Sequence, residues 1–392
     1  MSDMKSIQNS QERSSLTAQS TSGLVARPRR AFTYASQPAR VLFGSGALQR
    51  IENEVAALGA YRVLVLCTPN QRELAERVCE LIGRRAAGVF DGAVMHVPIE
   101  AARSAQAMAR SVSCDCAIAI GGGSTIGLGK AIAMDTGIPI IAIPTTYAGS
   151  EMTPIYGITE GRIKKTGRDT RVLPRTVIYD AELTLGLPSE ISVTSGINAI
   201  AHAAEGLYAA DANPVMSLMA QEGIAAIARS LPVIAAWGKG LQSSNDSGDL
   251  LLAREDALYG AWLCGTVLGN VGMSLHHKLC HTLGGTFNLP HAETHTVVLP
   301  HALAYNSGAA PTAMEQIAAA LGANDRSAAQ AAFDLAHKNG APTSLRELGM
   351  QIGDLDVAVA LVLEKQYPNP RPLERIALRQ LLADAFQGRC PN

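Results

Sequence analysis

Between Ala31 and Leu187, short apolar runs alternate with amphipathic stretches and glycine stops, and this alternation constrains the fold more than any other feature of the chain. "ARVLFG" is followed by the helix-like "ALQRIENEVAALG", "YRVLVLC" by "NQRELAERVCELIG", and "CDCAIAI" by a glycine turn and "STIGLGKAIAMDTG". "PIIAIPTT" and "RTVIYD" add two further strands. Repeated strand and helix order predicts a parallel sheet covered by helices. After Pro188 the texture changes to long Ala- and Leu-rich segments with helical spacing, such as "EISVTSGINAIAHAAEGLYAA" and "REDALYGAWLCGTVLGNVGMSLHHKLCHTLGG". The expected fold is therefore α/β, with a Rossmann-like parallel-sheet domain over 31–187 and an all-helical domain over 188–392. "GKGLQSSNDSGD", residues 238–249, reads as an exposed loop between helices. The first thirty residues lack both helical periodicity and the apolar core of a signal peptide, and are expected to form a disordered tail in which Arg27, Arg29 and Arg30 are a solvated charge cluster.

Composition narrows the partners. A chain of 392 residues exceeds one ordinary core, in keeping with two domains. With 33 basic and 34 acidic residues there is no global field to attract nucleic acid or an anionic membrane, so a small molecule is the expected partner. No apolar run is read as a membrane span. The seven cysteines are odd in number and scattered, and Cys114 and Cys116 are too close for a zinc ribbon or a thioredoxin-like pair. They read as thiols of a reducing, cytoplasmic compartment.

"AIAIGGGSTIGLGKAIA", residues 117–133, is the most informative motif of the first domain. A buried strand runs into Gly121, Gly122 and Gly123, which let the backbone approach a ligand, and Ser124 is placed to cap the helix that follows. Backbone N–H groups and the positive helix end suit a pyrophosphate, with Ser124 and Thr125 adding hydroxyls. Lys130 does not fall where GxxxxGK[ST] would put it, and GxGxxG is absent too, so ATP hydrolysis is not expected. The next strand ends in "PTTYAGSE", where Thr145 and Thr146 would extend the phosphate cradle at the sheet edge. After "YRVLVLC", Thr68 and Asn70 stand where an acidic residue would select against a 2′-phosphate. Neutral side chains there tolerate either NADH or NADPH.

Six of the nine histidines fall within "HHKLCHTLGGTFNLPHAETHTVVLPH", residues 276–301. His277 and His281 share one helical face, His291 follows a turn, and His295 and His301 lie beyond. In "SGINAIAHAAEG", Asn198 and His202 are likewise four apart. Such clustering marks a catalytic or metal-binding cleft.

Together these residues resemble the iron-containing alcohol dehydrogenase superfamily from about residue 32 onward: GGGS before a helix, PTT at a strand end, a helix with Asp-x-x-x-His, and two later histidines fourteen apart. The resemblance puts that family's metal positions on Asn198, His202, His277 and His291, with His281 lining the nicotinamide pocket. Asn198 replaces the family's carboxylate by a neutral amide. The shortened "PTTYAGSE", with "FTYASQPARVLFGSGAL", "SGINAIAHAAEGLYA" and "HAETHTVVLPHALAYN", is specifically similar to the maleylacetate reductases. That branch implies the dehydroquinate synthase-like fold, a homodimer, and NAD(P)H-dependent reduction of the carbon-carbon double bond of maleylacetate to 3-oxoadipate in aromatic degradation, with no metal required.

Hydride addition to an alkene conjugated with a ketone develops an enolate, which imidazoles can stabilise and protonate without a Lewis acid. Asn198, His202, His277, His281 and His291 are the expected catalytic residues, with His295 and Tyr147 contacting the dicarboxylate substrate. Lys164 and Lys165 read as an ordinary solvated loop. The competing expectations are an iron- or zinc-dependent alcohol dehydrogenase, a dehydroquinate synthase-like lyase, and a catalytically inactive ligand-binding protein.

Overall fold

A computed structural model describes residues 32, 34, 39–161, 163–241, 247–323, 325–364 and 366–391. The first thirty residues, with Arg27, Arg29 and Arg30, lie outside the described residues, as does the middle of the 238–249 segment. Six parallel strands form the sheet: β1 (Arg40–Phe43), β2 (Val63–Leu66), β3 (Ala86–Phe90), β4 (Cys116–Gly121), β5 (Ile140–Pro144) and, after the antiparallel hairpin β6 (Ile155–Glu160) and β7 (Ile163–Arg168), β8 (Thr176–Tyr179). Their order is β1-β8-β5-β4-β2-β3. Helices α1 (Ile51–Ala57), α2 (Arg72–Ile82), α3 (Ile99–Ser111) and α4 (Gly123–Thr136) connect them.

Strand alternation sorts the side chains into two cores. Val63, Val65, Ile118, Ile120, Ile141, Ile143 and Ile178 pack with Ile51, Val55, Val78 and Ile82 of α1 and α2. Leu64, Leu66, Ala117, Ala119, Ala142 and Val177 face the other way, against Ala102, Ala105 and Ile126 of α3 and α4. Each fully buried Ile or Val contributes about 1.5–3 kcal/mol. Strands buried on both faces are what the continuous apolar runs encode.

β3, α3 and the β6–β7 hairpin were not anticipated from the sequence. β3 is a half-buried strand at the sheet edge, "AAGVF", without a strong apolar signature. The segment expected to be a lysine loop is β7, and there the exposed Lys165 Nζ meets Glu160 Oε2 at 2.7 Å.

The regular elements that follow are helices: α5 (Ser189–Leu207), α6 (Pro214–Gly238), α7 (Ser247–Asn270), α8 (Leu275–Phe287), α9 (His291–Asn306), α10 (Pro311–Ala320), α11 (Ala328–Lys338), α12 (Asp354–Leu363) and α13 (Arg375–Gln387). Against the sequence expectation, α6 is long and apolar enough to cross a membrane by length and composition. Its apolar face is instead spent on the core: Ile224, Ile227 and Leu231 pack with Ile197 and Ile200 of α5 and Cys264 and Val267 of α7. Ile234 of α6 and Leu250, Ala257 and Ala261 of α7 join the sheet core, and Ala35–Asn392 forms one compact unit.

Candidate active site

The chain leaves β2 toward β3 on one side and leaves β4 toward β5 on the other, so the crevice between the C-terminal ends of β2 and β4 is the topological switch point, where ligands of such sheets bind. β4 ends at Gly121 with φ 150°, and a Cβ there would stand 2.5 Å from Thr125 Oγ1 and 2.9 Å from Gln71 Oε1. Gln71 Nε2 donates to Thr145 Oγ1 at 2.8 Å, and Thr68 Oγ1 lies 3.3 Å from Gln71 Oε1. A Cβ on Gly122 would stand 3.2 Å from the Thr146 side chain. Thr68, Gly121, Gly122, Thr125, Thr145 and Thr146 are thus brought to one edge, with Asn70 exposed on the turn beside them.

Two details differ from expectation. Gly122, not Ser124, is the N-cap of α4; the glycine run starts the helix early and puts Ser124 inside its first turn, which no side chain caps. Gln71, which ties the ends of β2 and β5 together, was missed because a lone glutamine after a strand carries no sequence signal.

The cradle fits a dinucleotide. Its backbone is bare of Cβ atoms at Gly121, Gly122 and Gly123, it faces the positive end of a fourteen-residue helix, and the Thr125 hydroxyl is buried there without a partner. Deeper in α4, Lys130 is fully buried and donates to the Ser150, Thr153 and Ile155 carbonyls and the Thr153 hydroxyl at 2.6–3.1 Å. Burial pulls it down to about 7, partly offset by Glu151, yet the four surrounding acceptors are those of an ammonium. Lys130 therefore fastens the end of "PTTYAGSE" and the residues just after it, with its ammonium held away from the phosphate cradle.

That loop joins the cradle to the histidines. Tyr147 does not face the cleft as expected: it is fully buried, its N–H donates to Ser195 Oγ at 3.0 Å, and its hydroxyl is 3.0 Å from Nη1 of the buried Arg254. Arg254 also holds Ser192 Oγ and the Leu187 carbonyl, so Tyr147 locks the loop onto α5 and α7. Gly149 (φ 76°) then passes so close to α7 that a Cβ on it would stand 3.1 Å from Gly265 Cα and 3.3 Å from His202 Nδ1.

Asn198, His202 and Glu205 lie at i, i+4 and i+7 on one buried face of α5. Glu205, fully buried, accepts the N–H groups of Ser274 and His276 at 2.8 Å and of His277 at 3.4 Å, anchoring the start of α8. His277 Nδ1 lies 2.7 Å from Glu205 Oε2, which fixes the ring with Nε2 toward the cleft. The ring centres of His202 and His277 are 5.1 Å apart, those of His277 and His295 4.9 Å, and those of His291 and His295 4.4 Å. His281 is exposed at the rim, 6.1 Å from His277 and 6.4 Å from His291, and His291 is half-buried as the first residue of α9.

Burial, reinforced by neighbouring imidazoles, holds His202 and His295 well below the usual histidine range, so both are neutral near pH 7. Asn198 Oδ1, His202 Nδ1, His277 Nε2 and His295 Nε2 are buried without hydrogen-bond partners. Buried polar atoms left unpaired in one cleft are the signature of a polar ligand's place. The four positions at which the family resemblance expects metal ligands carry one amide and three imidazoles, with no anionic side chain.

Comparison with known proteins agrees with this architecture. The chain matches the iron-containing alcohol dehydrogenase family over residues 38–181 and the Fe-containing alcohol dehydrogenase family, C-terminal, over 192–386. It is 59% identical to maleylacetate reductase of Burkholderia cepacia over 362 residues, 92% of this chain and 99% of that one. The crystal structure of maleylacetate reductase from Agrobacterium tumefaciens superposes with a TM-score of 0.86 at 51% identity, covering 93% of this chain and all of the other. That of the enzyme from a Rhizobium species gives 0.85 at 50% identity over the same shares. With both halves matched and relatives at this identity over nine-tenths of its length, the chain belongs to the iron-containing alcohol dehydrogenase family, within its maleylacetate reductase branch.

Proposed function

We propose that the protein reduces the carbon-carbon double bond of maleylacetate to 3-oxoadipate with NADH or NADPH, in the degradation of aromatic compounds, and that it requires no metal. The observation that carries this reading is the set of four unpartnered polar atoms on Asn198, His202, His277 and His295, with His202 against Gly149 of the loop that leaves the phosphate cradle. Similarity to the maleylacetate reductases supplies the substrate class.

The bound dinucleotide supplies the hydride. Gly121, Gly122, Gly123, Ser124 and Thr125 hold its phosphates, with Thr145 and Thr146 at the neighbouring strand end. Thr68 and Asn70 place no carboxylate against a 2′-phosphate, which is why both cofactors are admitted. As hydride reaches the carbon β to the ketone, the double-bond electrons move onto the ketone oxygen as an enolate, and the α carbon then takes a proton. The Asn198 amide, once turned to present its N–H in place of the unpaired Oδ1, and the cleft imidazoles donate hydrogen bonds to the developing enolate and to the substrate carboxylates. His277, oriented by Glu205, is the group best held to carry the proton at its Nε2, as a carboxylate behind an imidazole does in other proton-transfer sites. His202 closes the cofactor side of the cleft, while His281 and His291 line the mouth. A cytoplasmic homodimer is part of the same proposal, carried by the family resemblance.

The test is NADH oxidation on adding maleylacetate to protein stripped with EDTA. Turnover unchanged in excess chelator is expected. Turnover that appears only with added iron or zinc would favour a metal-dependent alcohol dehydrogenase, and no NADH oxidation at all would reject reductase activity.

A further inference from the structure

We infer that His276, which stands behind the cleft, is a positioning residue that fixes His295 in the neutral form carrying its proton on Nε2, so that His295 offers the substrate a hydrogen-bond donor. Its use in turnover rests on the reductase reading; its geometry does not.

His276 is fully buried on α8, and its Nε2 lies 3.0 Å from Nδ1 of the equally buried His295 on α9. One helical turn further, Cys280 Sγ lies 3.7 Å from the same Nε2. A hydrogen bond between two imidazoles needs one donor and one acceptor, and two neutral rings can arrange this in two ways. If His295 donated from Nδ1, then His276 would carry its own proton on Nδ1, an atom that is buried and has no partner. An N–H sealed there would cost the full desolvation of a donor, about 1–3 kcal/mol. If His276 donates from Nε2, only a lone pair is left in that place. The proton of His295 then sits on Nε2, which has no partner within the protein either but lies in the cleft with the unpaired atoms of Asn198, His202 and His277, where a bound polar ligand can accept it. Each arrangement leaves one N–H without a protein partner, but only that of His295 lies where a ligand can pair it, so the second is the cheaper once the cleft is occupied, and it makes His295 a fixed donor.

His277 is set the opposite way. With Nδ1–H given to Glu205, its neutral ring presents a lone pair from Nε2. The cleft therefore pairs one imidazole preset as a donor with one preset as an acceptor.

Long-range 1H–15N correlation spectra of the full-length protein, with 15N-labelled histidine, report the tautomer directly. His295 is expected as the Nε2–H form in the wild type. His276→Leu should lose that fixed pattern and lower kcat about 10- to 100-fold with KM for NADH unchanged, and His276→Gln, whose amide can donate from a similar place, should restore most of the rate. An Nδ1–H form of His295 in the wild type would overturn the inference, as would a folded, NADH-binding His276→Leu with wild-type kcat. So would one equivalent of zinc that survives EDTA and is lost in Cys280→Ala, since His276, Cys280 and His295 place their ligand atoms within 4.8 Å of one another. A wild type showing the expected tautomer but no maleylacetate-dependent NADH oxidation would defeat the proposed function and leave the His276–His295 geometry standing.

Discussion

His277 Nδ1 and Glu205 Oε2 are 2.7 Å apart although 72 residues separate them in the chain, and the same carboxylate receives the backbone N–H groups that open α8. One side chain of α5 thus both anchors the second helix of the cleft and aims its principal imidazole.

Glu205→Gln keeps an acceptor for the backbone but no longer holds His277 with a carboxylate. It should lower kcat about 10- to 100-fold with KM for NADH unchanged. Glu205→Ala should also destabilise the fold by about 2–4 kcal/mol, because buried N–H groups lose their acceptor. Steady-state kinetics and denaturant melts separate the two effects.

Asn198 stands where the family resemblance expects a carboxylate, and its Oδ1 has no partner. Asn198→Asp should raise zinc or iron affinity at least tenfold by restoring an anionic ligand, and reduce reductase turnover by placing negative charge where an enolate develops. Isothermal titration calorimetry that shows no gain in metal affinity would rule out the proposed site geometry.

Gly121 has a backbone conformation that L side chains rarely adopt, and a Cβ on it would meet Thr125 Oγ1 at 2.5 Å. Gly121→Ala should weaken NADH binding at least tenfold, through strain and a filled phosphate cradle, while circular dichroism remains that of the wild type. Quenching or enhancement of NADH fluorescence gives the dissociation constant.

Burial holds His301 down to about 4, slightly offset by Asp384, against 6.5 for a free histidine. The unfolded chain takes up this proton below about 6.5 and the folded chain only below about 4, so the stability present above 6.5 is lost as pH falls through that window. The loss should reach about 3 kcal/mol. Urea midpoints measured from pH 7 to pH 4 should fall less steeply in His301→Gln than in the wild type.

Local sequence carried much of the fold. Continuous apolar runs at β2, β4 and β5 announced buried parallel strands, and Gly121, Gly122 and Gly123 announced a strand-to-helix turn, because side-chain periodicity and glycine geometry act over a few residues. β3 and α3 escaped notice: the strand is an edge with a weak apolar pattern, and α3 buries little beyond alanines such as Ala102, Ala105 and Ala109. Ser124 resembled a helix cap only until the glycine run started the helix at Gly123.

The histidine cluster could be seen in the sequence, and its resemblance to a known family identified Asn198, His202, His277 and His291 together. What the sequence by itself determined was which short-range elements form and which chemical groups stand four residues apart on a helix. Tertiary structure decided the rest: Tyr147 turned away from the cleft to Arg254, Gln71 bound to Thr145, Glu205 placed behind His277, and His276 placed behind His295. The reason is physical. Partners of buried polar atoms are chosen by the packing of whole elements, across 107 residues for Tyr147 and Arg254, and a hydrogen bond a few ångströms long leaves no trace in local periodicity.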